Sequence, residues 1–195
     1  MVICYFGIYD ADYNRNKILM RGLRANGFEI VECVSRRRGL VKYYDLIKQH
    51  LALKGRYDAM LIGFPGYQAM ILARFLTRKP IFFDAFFSFY DAMVLDRRSI
   101  SRFSPRAFYF WLLDWFSCFL ADKVLLDTNE HIKYFRAEFG LKSQKCIRIF
   151  IGADTDIYLP AALKEAGDNF IVHFHGSFIP SQGTDYILDA AARLK

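Results

Sequence analysis

Apolar runs of strand length alternate with amphipathic stretches along nearly the whole chain, and that alternation restricts the folds open to it. Val2–Tyr9, Phe28–Val34, Tyr57–Gly63, Pro80–Phe83, Lys123–Leu126 and Cys146–Phe150 read as strands. Between them lie helix-like stretches at Asn16–Asn26, Leu40–Leu53, from Pro65-Gly66 to about Leu76, Tyr90–Arg97 and Pro105–Ala121. Ile18, Leu19 and Leu23 predict the inward face of the first helix, and Leu40, Tyr43, Tyr44, Ile47 and Leu51 that of the second. Ser104 before Pro105 reads as an N-cap followed by proline at the first helical position. Asp127 and Glu130 have capping-box spacing and predict another helix after the fifth strand. The expected class is α/β, a doubly wound parallel sheet with helices on both faces.

The alternation breaks at Gly152-Ala153-Asp154-Thr155-Asp156, and a loose stretch with Pro160, Lys164, Glu165 and Gly167 follows. The expected organisation is a Rossmann-like domain over 1–151, a linker over 152–168 and the opening of a second domain over 169–195. In that last part Phe170–Gly176 reads as a strand and Ser177–Gln182 as a loop. Tyr186, Ile187, Ala190, Ala191 and Leu194 mark one helix face, with Asp189 and Arg193 spaced as an i,i+4 pair on the other. Such a strand, loop and helix present free backbone N–H groups to an anion, which makes Gly176, Ser177, Gln182 and Gly183 phosphate-binding candidates. No glycine or asparagine stop follows Leu194, so the second domain is expected to continue past Lys195.

A net charge of +7 favours anionic partners: nucleic acid, phosphorylated substrates or an anionic membrane surface. No recognition helix stands out, and the arginines are not interleaved with exposed-looking aromatics on a sheet, so nucleic acid is not expected. Met1-Val-Ile-Cys opens directly as a strand, without a leader-like segment. No apolar run reaches the roughly 18–20 residues of a spanning helix. Cys4, Cys33, Cys118 and Cys146 lack CxxC or zinc-type spacing and fit a reducing, cytoplasmic setting.

Ligands of open doubly wound sheets bind outside the carboxyl ends of the strands. That rule selects Asp10, Asn14 and Arg15 after the first strand, Asp84, Ser88 and Asp91 after the fourth, and Asp127, Thr128 and Asn129 after the fifth. Asp84 and Asp91 could orient substrate hydroxyls or act as a base; equally, Asp91 could cap the next helix and Asp84 close a strand. The first loop has no G-x-G-x-x-G, and strand two ends in Arg36-Arg37-Arg38 rather than an acid, which argues against a dinucleotide-dependent dehydrogenase. Those arginines read as a solvated loop or an anion site. The pairs Asp10/Asp12 and Asp154/Asp156 read as turns and caps, and no metal site is expected. His173 and His175, on one face of the expected strand, read as core or loop-lining residues rather than metal ligands.

Pro105–Ala121 is apolar nearly all round, interrupted by Asp114 and Ser117. It is either sandwiched between the sheet and neighbouring helices or lies against something apolar. Arg97, Arg98, Arg102 and Arg106 precede or open it, so Arg97–Ala121 could form a basic, aromatic surface facing an anionic membrane, with the protein peripheral on its inner face.

Taken in order, IGADTDIYLP and HGSFIPSQGTDYILDAAARL resemble the linker and second-domain opening of the retaining glycosyltransferases of family four, which have the two-domain GT-B fold. The resemblance implies transfer of a sugar from a nucleotide-diphosphate donor to an acceptor hydroxyl, in cell-surface polysaccharide or glycolipid synthesis. It makes the strand-end residues acceptor-side candidates, for a glycan or lipid-linked sugar, and Gly176–Gly183 the donor-phosphate loop. It implies no bound cofactor. Ser177 and Gln182 stand where the family usually places an arginine and a lysine, and Asn14-Arg15-Asn16 replaces paired glycines in the first loop. The family's acidic E-x7-E motif would lie past Lys195, so the chain alone is expected to be inactive. The alternative is a non-catalytic Rossmann-like module that binds anions or a membrane.

Overall fold

The computed structural model describes residues 1–53, 55–159, 171–176 and 178–194. Six parallel strands form one sheet in the order β2-β1-β3-β4-β5-β6. They are β1 (Val2–Gly7), β2 (Glu29–Val34), β3 (Ala59–Ile62), β4 (Ile81–Phe86), β5 (Lys123–Leu126) and β6 (Cys146–Arg148). The helices are α1 (Asn14–Ala25), α2 (Val41–Leu53), α3 (Tyr67–Leu76), α4 (Pro105–Leu120), α5 (Asn129–Phe139) and α6 (Thr184–Arg193), with a π-helical turn at Asp91–Asp96.

The strand order explains where the helices lie. Crossovers between parallel strands are right-handed, so connections running the same way across the sheet share a face. Only β1 to β2 runs towards one edge; every later step runs towards the other. Accordingly α2 to α5 pack on one face, where Cys4, Phe6, Met60, Ile62, Phe83 and Val124 meet Leu46, Met70, Leu113 and Phe135. The opposite face, with Ile3, Tyr5, Leu61 and Leu125, meets Met20 and Leu23 of α1. The sheet is wound on both faces, four helices against one.

Two expected helix faces are rotated. On α2 the buried positions are Leu46 and His50, while Tyr44 and Leu51, and Leu40 just before the helix, are exposed. Polar contacts at two levels hold this rotation: the Cys33 thiol donates to the Leu46 carbonyl, and His50 Nε2 pairs with the Tyr57 hydroxyl at 2.8 Å. On α1, Arg15, Asn16 and Met20 are buried, and Ile18, Leu19 and Leu23 only partly so. At the start of α4 the expected cap is present: Ser104 Oγ accepts from the Ala107 N–H at 3.1 Å.

The segment after β6 docks on α1. Asp154, 3% exposed, receives Lys17 Nζ at 2.6 Å and Arg21 at 3.1 Å, and Asp156 receives Arg21 at 2.7 and 3.0 Å. Asn14 Nδ2 donates to the Gly152 carbonyl at 3.1 Å. Further on, residues 171–176 join no strand ladder, so the strand expected there is not formed among the described residues. Phe170, Ser177 and the later part of the expected linker lie outside the described residues. The apolar side chains Tyr186 and Leu188 of α6 and its C-cap Leu194 are exposed, and no Asp189–Arg193 ion pair forms among the described residues.

Candidate functional site

The strand order reverses direction between β1 and β3, and a sheet of this kind opens its ligand crevice at that reversal. Asn16 of α1 ties the two strand ends together. Its Oδ1 accepts from the Phe64 N–H and the Tyr5 hydroxyl at 3.0 Å each, and its Nδ2 donates to the Phe64 and Asp10 carbonyls at 2.6 and 2.9 Å. All four donor and acceptor sites of this fully buried amide are filled. Gly66 sits where no side chain fits, since a Cβ would come within 2.3 Å of the Ile62 methyl and 2.6 Å of the Gly63 carbonyl.

Next along the sheet edge is a buried ion pair. Arg15 Nε donates to both Asp84 oxygens at 2.9 Å, and its Nη2 donates to Oδ1 at 2.7 Å. Nη1 reaches the Ile149 carbonyl at 3.3 Å, and the guanidinium lies 4.6 Å over the Phe86 ring. Burial pushes the Asp84 carboxyl up, and the Arg15 contacts oppose that shift. The pairing with β5 shifts register between Asp84 and Phe86, and Phe86 takes a φ of 60°, unusual for a bulky residue. Asp84 and Arg15 thus spend their hydrogen-bonding capacity on each other and neighbouring backbone, and build the floor of the site.

The groups left open stand around the ends of β4 and β5. His131 Nδ1 lies 2.5 Å from Asp127 Oδ1, which orients the ring, and Nε2 has no hydrogen-bond partner among the described residues. The expected capping box is corrected here: Thr128, not Asp127, is the N-cap, its Oγ1 accepting from the His131 N–H at 3.1 Å. Asp127 can take the histidine because it lies one residue outside the helix, and Glu130 pairs with Lys133 at 2.7 Å. Asn129 opens α5 and is exposed. Asp91 is half-buried; burial and then Asp96 raise its carboxyl while His131 opposes them. Its side chain does not cap the π-helical turn, where the cap position is Tyr90.

The turn that presents Asp91 hangs on Asp114, which the sequence showed only as a break in an apolar helix. Asp114 is fully buried on α4 and accepts from Ser88 Oγ at 2.6 Å, the Phe89 N–H at 3.1 Å and the Tyr90 N–H at 2.8 Å. Ser88 Oγ in turn accepts from the Asp91 N–H at 2.9 Å. Burial pushes the Asp114 carboxyl up to about 6 in spite of these bonds. Ser88 is therefore part of the scaffold beneath the site.

At the opposite rim, Asp10 closes a turn by accepting from the Asp12 N–H at 3.0 Å. Gly176 and Gln182 lie side by side, since a Cβ on Gly176 would stand 2.4 Å from Gln182 Oε1. Gly183, with a φ of 62°, precedes α6 without a side-chain cap. A cavity of about 620 Å³ separates Gly183–Tyr186 from Arg97 and Arg98. The rings of His173 and His175 stack 6.4 Å apart.

Helix α4 is buried along Ala107, Phe110, Leu113, Asp114, Ser117 and Cys118. Its outer side carries a ladder of near-parallel rings: Phe108 on Trp111, Trp111 on Trp115 and Trp115 on Phe119, with centroids 6.3, 6.4 and 5.5 Å apart. Phe103, 95% exposed, precedes the helix among Arg97, Arg98, Arg102 and Arg106. No described helix is long and apolar enough to cross a membrane.

These features define an open, doubly wound parallel α/β fold with its polar groups gathered at the strand carboxyl ends. No family model matches the chain, and no curated protein matches it. Among solved structures it is similar to HepE of Anabaena in complex with UDP and glucose, with a TM-score of 0.46 and 12% sequence identity. The match covers 80% of this chain and 46% of that one, so the chain spans less than half the length of that structure.

Proposed function

We propose that residues 1–151 are the acceptor-binding side of a GT-B-type glycosyltransferase that uses a nucleotide-sugar donor in polysaccharide or glycolipid synthesis. On this reading 152–168 link it to a donor-binding region opening at 169–195, and the chain by itself transfers no sugar. The observation that carries the proposal is the set of groups at the ends of β4 and β5: Asp91 and His131, which feel each other's charge and whose carboxylate and Nε2 have no hydrogen-bond partner among the described residues. A carboxylate and an oriented imidazole on a rigid floor suit recognition of vicinal hydroxyls. The order of the sequence segments that resemble family four supplies the donor side.

Saturation-transfer NMR with methyl glucoside, methyl galactoside and methyl mannoside tests this. At least one glycoside is expected to bind, with loss of signal in Asp91→Asn and His131→Gln. Binding by none of them, or binding unchanged in both variants, refutes the acceptor-side reading. Sugar transfer by the isolated chain would contradict its inactivity alone.

A second reading, a surface that docks on the inner face of an anionic membrane, draws on the ring ladder of α4 and its leading arginines. Co-sedimentation with anionic vesicles at low salt is the check; no binding there removes it.

A further inference from the structure

At the β1/β3 reversal a cavity of about 260 Å³ opens between the strand ends and α4. Its walls include Ile8, Pro65, Phe89, Phe110 and Leu113, all apolar. The polar groups are Lys42, Gln68 and the tyrosines, and no acid lines it. Among the described residues Lys42 Nζ meets neutral partners, Gln68 Oε1 at 3.2 Å and the Tyr43 ring at 5.0 Å. It makes no ion pair among the described residues.

More positive charge arrives from the neighbouring strand. Ser35 donates its N–H to the Gly7 carbonyl, which puts the end of β2 beside the end of β1, next to Ile8. Arg36, Arg37 and Arg38 follow at once, all exposed and none in an ion pair among the described residues. The same loop then runs into α2 and reaches Lys42. Lys42 is the cation in the lining of this apolar hollow; the three arginines stand on the adjoining loop, where Arg37 also feels the Asp45 carboxylate of α2, and the hollow shares Phe89 with the turn that carries Asp91.

We propose that this cavity holds the apolar chain of a lipid-linked acceptor, a long prenyl or alkyl phosphate ester, with Lys42 and Arg36–Arg38 receiving its phosphate. The assignment rests on the acceptor-side reading above and narrows it to one substrate class, an anionic amphiphile. An apolar pocket with a few cations at one end selects for both halves of such a molecule. Neither a free sugar nor a free phosphate uses both.

The test is titration of the 195-residue chain with farnesyl phosphate, dodecyl phosphate, farnesol and inorganic phosphate, below micelle-forming concentrations and followed by protein-detected NMR. Both phosphate esters are expected to bind and to shift Ile8, Ala69 and Leu113. Farnesol and inorganic phosphate are each expected to bind at least about tenfold more weakly. Lys42→Glu and Arg37→Glu, both at surface positions, are expected to weaken the esters about tenfold and leave farnesol unchanged. Equal binding of farnesol and farnesyl phosphate, or of inorganic phosphate and farnesyl phosphate, overturns the assignment. Methyl glycoside binding at the strand ends without ester binding overturns this assignment alone and leaves the glycosyltransferase reading standing.

Discussion

Replacing Asp114 with asparagine separates the cost of burying its charge from the value of its hydrogen bonds. The carboxyl titrates at about 6 in the fold against an ordinary 3.8, so the folded protein holds its proton more tightly than the unfolded chain. Stability from this group is then fully present at low pH and declines as pH rises from about 4 to about 6. A shift of that size corresponds to about 3 kcal/mol. Asparagine keeps the shape but cannot ionise, and its amide nitrogen replaces one of the two oxygens, so either the Phe89 or the Tyr90 N–H loses its acceptor. Asp114→Asn is therefore expected to be less stable than wild type at pH 4. The difference should then move in favour of the variant by about 3 kcal/mol between pH 4 and pH 7. Urea melts of both proteins at pH 4, 5, 6 and 7 measure it. A difference that does not change with pH, or one that moves against the variant, refutes the reasoning. The second result would mean that the three donors outweigh burial and hold the carboxyl below its usual range.

The Arg15–Asp84 pair predicts strong coupling: Arg15→Met alone should cost about 3–5 kcal/mol by leaving a buried carboxylate unpaired. The Arg15→Met/Asp84→Leu double variant should cost clearly less than the sum of the singles in urea melts. Asn16→Ala removes a four-way bond between the ends of β1 and β3 and should lower stability by roughly 2–4 kcal/mol, since several buried groups lose their partners. Gly66→Ala should abolish soluble, folded protein or depress its melting point severely, because backbone occupies the Cβ position. Gly140→Ala, at a left-handed helix stop with open space around it, should cost only about 1–2 kcal/mol. Similar thermal shifts for the two glycine variants would undo that contrast.

The architecture was legible because the central parallel strands, buried on both faces, read as apolar runs, and each of the first five strands was followed by a recognisable helical stretch. β5 falls at its expected limits, and β4 runs three residues past Phe83 because Asp84 is held inside the sheet by an arginine from another element. Helix rotation was less legible. On α2 the buried His50 wins over Leu51 through one partner, the Tyr57 hydroxyl, and periodicity weighs hydrophobicity without seeing partners. The site divides similarly. Topology alone selected Asp84, Asp91 and Asp127, while His131 and Asp114 escaped notice as ordinary helix residues. A histidine four residues after a strand-end aspartate is a usable signal for the first, since that spacing places both on one side of the helix start. A lone carboxylate in an otherwise apolar helix, which must find buried donors, is the signal for the second.

The contacts of α1 also determine where this chain can bend. Its outer side holds the segment after β6 through Asn14, Lys17 and Arg21, while its first turn holds the floor of the site through Arg15 and Asn16. A swing beginning before Asp156 would have to break two ion-paired aspartates and the Gly152 bond, and it would tug directly on the guanidinium under Asp84. Whatever follows the clamp can therefore turn without disturbing the strand ends only if it pivots beyond Asp156. Loosening the clamp, by contrast, would make α1 a lever between a distant load and the buried ion pair.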